Sequence, residues 1–361
     1  MKITIIAGAR PNFMKIAPLA RAIKKASEAG KEISYRLVFT GSKNDPSLEP
    51  SLFSDLKLSP PDAYLEVDSD NFFYRTANII VAFAEELEKH PANAVVVVDD
   101  FTPTMACSLV AKKMGVKVAH LVAGIRSFDM NKPKEVNRMI IDGLSDILFT
   151  AGMDANRNLS NCGTNIKNIF FVGNILIDTL RFSLPDINRP VFFDILNIKE
   201  KEYILLTLNK REIINNDEKL KEIITTIINS TSKKIVAPLH SYVKNRIDSL
   251  GVKSDNLLII HPQSYLSFIY TAKNALSIVT DSGNIAEEAT FMNVPCITLD
   301  NYTEHNETVT NGTNILVDDN YSLIKSSIEK IEKGEWKNSS LPERWDGRTA
   351  ERIVQILLEE I

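Results

Sequence analysis

Residues 275–288 read ALSIVTDSGNIAEE. An apolar stretch at 275–279 runs into a polar turn, Thr280-Asp281-Ser282-Gly283-Asn284, and then into a helix-like run at 285–291. Strand, short glycine-containing turn and helix N-terminus gather unpaired backbone N–H groups and the positive helix end at one place, which suits a phosphate. Glu287 and Glu288 follow in the first turn, where a carboxylate suits the helix dipole and can accept from sugar hydroxyls. An ordinary capped helix shows the same pattern, since the turn holds a single glycine.

Two further groups of residues could do chemistry. Arg10 lies in the turn GARPN at 8–12, and Lys15 lies near the start of the helical spacing that follows; two cations at the end of a first strand suit a phosphate or an anionic sugar. Asp99 and Asp100 leave the valine run AVVVV at 94–98, a position that opens onto the ligand crevice of parallel sheets and suits acid/base work. Either aspartate could equally serve as a turn or capping residue. His120 sits in the next strand, KVAHLV at 117–122.

The elements that must position these groups are legible in outline. Short β-branched runs at 2–7, 35–40, 94–98, 117–122, 147–150 and 169–172 alternate with helical spacings at 13–26, 72–89, 105 onward, 135–144 and 151–159. Within 135–144, Val136, Met139, Ile140 and Leu144 fall on one face. Residues 44–71, rich in Pro, Ser and Asp, read as loops. The second half repeats the pattern, with strands at 203–207, 235–238, 257–260, 275–279, 295–299 and 314–317, and a last helix at 349–361. Two successive sets imply two doubly wound α/β domains. The first is expected at 1–172, joined by the C-terminal helix 346–361; the second at 173–345.

Composition narrows the partners. At 361 residues, 44% hydrophobic and 24% charged, the chain has the make-up of a soluble globular protein of two domains. A net charge of −4 argues against nucleic acid. Cys107, Cys162 and Cys296 lack metal-ligand spacing, and no metal is expected. No run approaches the roughly 18 apolar residues of a membrane span. The apolar start at 3–7 is too short for a secretory signal, so a cytoplasmic protein is expected.

GARPNFMKIAPL at 8–19, GIRSFDMNKPKEVNR at 124–138, VGNILIDTL at 172–180, TLNKRE at 207–212 and TDSGNIAEEATFMNVPCITL at 280–299 occur in an order that resembles the non-hydrolysing UDP-N-acetylglucosamine 2-epimerase family. The resemblance covers nearly the whole chain. It implies the glycosyltransferase-B fold, two Rossmann-like domains facing across a cleft that holds a UDP-sugar. It implies interconversion of UDP-GlcNAc and UDP-ManNAc for surface polysaccharide precursors, with no cofactor, and a homodimer. In that chemistry a base removes the C2 proton as UDP leaves C1, and UDP and a proton then return.

Carried over by motif, Arg10 and Lys15 match the N-terminal cations, Ser282 and Gly283 the diphosphate turn, Glu288 the ribose-gripping carboxylate and Asp100 the catalytic aspartate. Asn209, His240 and His305 complete the expected UDP-sugar set. The family's acid/base pattern departs at three positions. Val122 stands for one glutamate, Lys134 for the first of a Glu-Glu pair whose second member is Glu135, and Asn209 for a histidine. Asp100, Lys134, Glu135 and His120 are therefore the candidate catalytic groups, with Asp99, Asp129 and His240 as further substitutes. The alternatives are a glycosyltransferase, a nucleotide-sugar hydrolase, or a UDP-sugar binder without catalysis.

Overall fold

The computed structural model describes residues 1–67 and 69–361. The chain divides into two compact units, Met1–Phe182 with Glu343–Ile361, and Ser183–Pro342.

Among the described residues unit 1 holds seven strands: β1 (Lys2–Ala7), β2 (Ser34–Phe39), β3 (Ala63–Tyr64), β4 (Ala94–Val98), β5 (Lys117–Leu121), β6 (Ile147–Thr150) and β7 (Ile169–Phe171). They form one sheet in the order β3-β2-β1-β4-β5-β6-β7, every pair parallel. The helices that accompany them are α1 (Arg10–Glu28), α2 (Pro50–Leu56), α3 (Phe72–Lys89), α4 (Thr102–Lys113), α5 (Pro133–Leu144), α6 (Met153–Asn161) and, after β7, α7 (Ile175–Ser183). The β4 run is buried throughout, as a strand covered on both faces must be. Its Val95 and Val97 face a cluster with Phe83 of α3 and Cys107 of α4.

Unit 2 repeats the plan with β8 (Tyr203–Thr207), β9 (Lys234–Pro238), β10 (Leu257–Ile260), β11 (Ser277–Thr280), β12 (Cys296–Thr298) and β13 (Asn314–Leu316). Their order is β10-β9-β8-β11-β12-β13, again all parallel. The helices are α8 (Phe192–Ile195), α9 (Arg211–Ile214), α10 (Asp217–Asn229), α11 (Ser241–Ser249), α12 (Tyr265–Lys273), α13 (Gly283–Met292), α14 (Glu307–Thr310) and α15 (Tyr321–Glu332). Successive β8 residues supply different clusters. Ile204 and Leu206 pack with α10 and α15, while Tyr203 and Leu205 pack with Phe193, Ala272 and Ala286. That period-two division explains why the strand reads as an unbroken apolar run.

The last helix, α16 (Thr349–Glu360), returns to unit 1 and packs on α1. The division falls after Phe182 rather than after Val172, because α7 is tied into unit 1. Pro18 inside α1 has no N–H, which leaves the Met14 carbonyl without its helical donor. The Thr179 hydroxyl of α7 donates to that carbonyl at 2.5 Å. Asp178 accepts from the N–H groups of Thr349 (3.0 Å) and Ala350 (2.7 Å), capping α16.

Several helices start earlier than their hydrophobic spacing indicates, for one reason. Pro11 and Pro50 lie in stretches read as turn and loop, and Pro103 and Pro133 precede the expected helix starts, yet all four occupy the first two positions of α1, α2, α4 and α5. A missing N–H costs nothing there, and the fixed φ is already helical. Arg10 is thus the first residue of α1, not a turn residue, and residues 44–71 contain α2 and the edge strand β3. The face of α5 is also reversed. Val136, Met139 and Ile140 are exposed, whereas Glu135, Arg138 and Asp142 are buried.

Candidate functional site

In unit 1 the strand order reverses between β1 and β4, so the connections leaving their carboxyl ends diverge and open a crevice. Gly8 lets the turn after β1 approach α4: a Cβ there would lie 2.9 Å from Pro103 Cβ. Asn12 pins the turn by accepting from the Gly8 N–H (2.8 Å) and the Ala9 N–H (3.0 Å). Arg10 is exposed at the helix start. Lys15 is buried and forms an ion pair with Asp99 at 2.5 Å.

Asp99 has φ 59°, and this left-handed residue sends the two aspartates to different neighbours. The Asp99 carboxylate meets α1, taking Lys15 Nζ and Asn12 Nδ2 (2.8 Å). The Asp100 carboxylate meets α5. It accepts from Arg138 Nε (2.8 Å) and pairs with Arg138 Nη2 (2.7 Å) and Lys134 Nζ (3.2 Å). Burial alone would push the Asp100 carboxyl up, but the Lys134 and Arg138 charges overcome it and hold it below the ordinary range. The Lys134 side chain is 56% exposed and its ammonium also lies over the Phe101 ring.

Glu135 is buried beneath the 122–130 loop. It accepts from Ser127 N–H (2.8 Å), Ser127 Oγ (3.0 Å), Phe128 N–H (3.1 Å) and Arg138 Nη1 (3.3 Å). Burial would raise its carboxyl, and these donors lower it instead. His120 is buried, with Nδ1 2.6 Å from Asp142 Oδ1 and Nε2 3.1 Å from the Asp99 carbonyl. Both ring nitrogens thus face protein acceptors. Asp142 also takes Arg126 Nη1 (2.6 Å) and the Gly124 N–H (3.2 Å). Its carboxyl, which burial would raise, is held low by His120 and Arg126. Val122, at the end of β5, has φ 72°, a strained backbone for a β-branched residue. Asp129 is taken up in a local turn, accepting from Asn131.

In unit 2 the order reverses between β8 and β11, and an aspartate again follows the second of these. Buried Asp281 accepts through Oδ2 from the N–H groups of Asn209 and Lys210, both at 2.7 Å. Its Oδ1 is buried without a protein partner, and burial pushes the carboxyl up despite those donors. The Asn209 side chain is exposed, and Lys210 Nζ contacts the Asp300 carboxylate. Ser282 is the N-cap of α13 without a side-chain capping bond, and its N–H donates to Thr280 Oγ1 at 3.0 Å. A Cβ on Gly283, which is exposed, would meet no protein atom within 4 Å. Glu288 is buried and accepts from Tyr265 Oη at 3.1 Å. Burial, with Glu287 adding to it and the Tyr265 bond opposing it, pushes the Glu288 carboxyl up to about 8. His305 is buried with Nε2 3.8 Å from Glu287. His240 caps α11, is exposed, and stacks on Tyr242 at 6.1 Å.

The structure therefore brings Asp100, Lys134 and Glu135 together, joined by Arg138, with Asp99 beside Asp100 and paired to Lys15 of α1. Asn209, Ser282, Gly283 and Glu288 lie in the turns after β8 and β11 or on α13. Sequence reasoning assigned no role to Arg138, Asp142 or Asp281. Glu135, Arg138 and Asp142 recur at the spacing of one helical face, a signal available in the sequence but masked by the apolar residues opposite. Among the described residues no His/Cys/Asp/Glu cluster has the geometry to hold a metal ion, and no helix is long and apolar enough to cross a membrane.

Comparison with known proteins bears on what this arrangement serves. A family model described as UDP-N-acetylglucosamine 2-epimerase matches residues 25–358. A UDP-N-acetylglucosamine 2-epimerase of Methanocaldococcus jannaschii is 35% identical over 371 residues, covering 99% of each chain. A UDP-N-acetylglucosamine 2-epimerase homolog of Methanococcus maripaludis is 37% identical over 365 residues with the same coverage. The crystal structure of the M. jannaschii enzyme in complex with UDP-GlcNAc and UDP superposes with a TM-score of 0.85 at 34% identity, over 99% of this chain and 100% of that one. The fold is therefore that of these glycosyltransferase-B-type enzymes, and the chain, similar along its whole length, belongs to the UDP-N-acetylglucosamine 2-epimerase family.

Proposed function

We propose that this protein binds a UDP-N-acetylhexosamine and interconverts UDP-GlcNAc and UDP-ManNAc, supplying precursors for surface polysaccharide. Unit 2 takes the nucleotide, with the α13 N-terminus at Ser282 and Gly283 receiving the diphosphate and Glu288 the ribose. Unit 1 supplies the acid/base groups at the exit of β4 and, in Arg10, an exposed cation suited to an anionic group. The observation that carries this reading is the Asp100–Lys134 pair at the exit of β4: an ionised carboxylate 3.2 Å from an exposed ammonium, braced by Arg138. One group of the pair removes the C2 proton as the C1–O bond to UDP breaks, leaving a glycal. UDP then re-adds at C1 while a proton returns to the opposite face of C2. Glu135 and His120, held by their own hydrogen bonds, orient the loop and strand around this pair. Exposed Val136, Met139 and Ile140 on α5 support a homodimer as the working form.

A second reading is favoured by the same geometry. The Asp100 carboxyl is held ionised by Lys134 and Arg138, and that of Glu135 by the Ser127 and Phe128 donors with Arg138, which makes both weak bases, and Val122 cannot carry a proton. In that case UDP binding, with or without transfer to an acceptor or to water, remains without C2 chemistry. Proton NMR of the protein with UDP-GlcNAc, and separately UDP-ManNAc, in D2O decides between them. Loss of the H2 signal with growth of the other epimer supports epimerisation. Free UDP without deuterium at C2 supports transfer or hydrolysis, and bound ligand without turnover supports a binding role.

A further inference from the structure

Asp99 combines three features that a turn residue has no need of. Its backbone is left-handed, its carbonyl is held by His120 Nε2, and its carboxylate is committed to Lys15 and Asn12. The side chains of Lys15 and Asp99 are 6% and 12% exposed, so solvent screens the pair little. The other charges at this end of unit 1 also cancel, since Lys134 and Arg138 face Asp100 and Glu135. Arg10 is the exposed cation at the start of α1.

We infer that Asp99 determines the charge that unit 1 presents to a ligand: by holding Lys15 in an ion pair, it leaves an anionic ligand to meet Arg10 without the Lys15 charge beside it. Asp99 is thus a specificity-determining residue that weakens the hold on free diphosphate. The His120–Asp142–Arg126 network fixes the backbone geometry that makes the pair possible. The inference rests on the UDP-sugar reading only for its choice of probe.

The test is titration calorimetry of UDP and of inorganic pyrophosphate against the wild-type protein and Asp99→Asn. Asparagine suits the left-handed backbone and keeps an acceptor for Lys15, but removes the negative charge. The expected result is roughly ten-fold tighter binding by the variant, the gain shrinking as salt is raised. Adding Lys15→Met to Asp99→Asn returns affinity to the wild-type value. If Asp99→Asn fails to fold, Asp99→Gly adopts the same φ without strain and replaces it. Equal or weaker binding of UDP by the variant, with UDP bound by the wild type, overturns this inference and leaves the UDP-sugar reading standing. Pyrophosphate bound more tightly by the variant, with UDP bound by neither protein, upholds the inference and overturns that reading. Absence of binding by every protein overturns both.

Discussion

Glu288 offers a prediction whose size and sign both follow from its surroundings. The carboxyl is buried on α13 beside Glu287, with Tyr265 as its hydrogen-bond donor, and its pKa is pushed from 4.5 to about 8. At about 1.4 kcal/mol per pH unit, that gap corresponds to a ceiling of about 5 kcal/mol. Below 4.5 the folded and unfolded chains both hold the proton. Between 4.5 and about 8 only the folded chain holds it, so stability falls as pH rises through that window and levels off above it. Glu288→Gln keeps the shape and an acceptor for Tyr265 while abolishing the titration. The assay is urea unfolding of both proteins near pH 5 and near pH 8.5, followed by fluorescence, with the shift expected in that interval. Trp336 reports on unit 2 and Trp345 on unit 1. The stability of unit 2 in the wild type is expected to fall by about a few kcal/mol at the higher pH, moving its transition to lower urea, and the variant transition to move much less. Equal pH dependence in the two proteins would show that Glu288 ionises normally and would refute the reasoning.

Other outcomes follow from named contacts. Arg138→Met leaves Asp100 and Glu135 without their shared guanidinium, and is expected to cost about 3–5 kcal/mol in thermal unfolding and to abolish any C2 exchange. Thr179→Val leaves the Met14 carbonyl, already without a donor because of Pro18, unpaired; a loss of about 1–3 kcal/mol of unit 1 stability is expected in urea titrations. Ile140→Glu places a charge on the exposed apolar side of α5, and sedimentation velocity is expected to show a dimer for the wild type and a monomer for the variant; the same species for both would move the interface elsewhere.

Much of this protein was open to a linear reading. The valine run of β4 and the alternating apolar runs carried both α/β sets, because a strand buried on two faces has no other composition. The motif order carried the family. Asp100, Ser282 and Glu288 could be singled out because the ends of parallel strands and the start of a helix are local features, whereas Lys134 came into view only through the family resemblance. The prolines at 11, 50, 103 and 133 were ambiguous in sequence, since a proline both ends a helix and begins one, and only the chain around it decides.

Tertiary structure decided the rest. Pattern reading expects the apolar side of α5 to face inward. The buried side is instead the polar one, because Asp100, His120 and Arg126 supply the charge partners that Glu135, Arg138 and Asp142 require. Only the fold sets Lys15 against Asp99, 84 residues away in the chain, and makes it half of a buried ion pair. Composition and spacing determine which segments become strands and helices, since those follow from each residue's neighbours in the chain. The ionisation and availability of a side chain follow from its neighbours in space, and those exist only once the sheet has assembled.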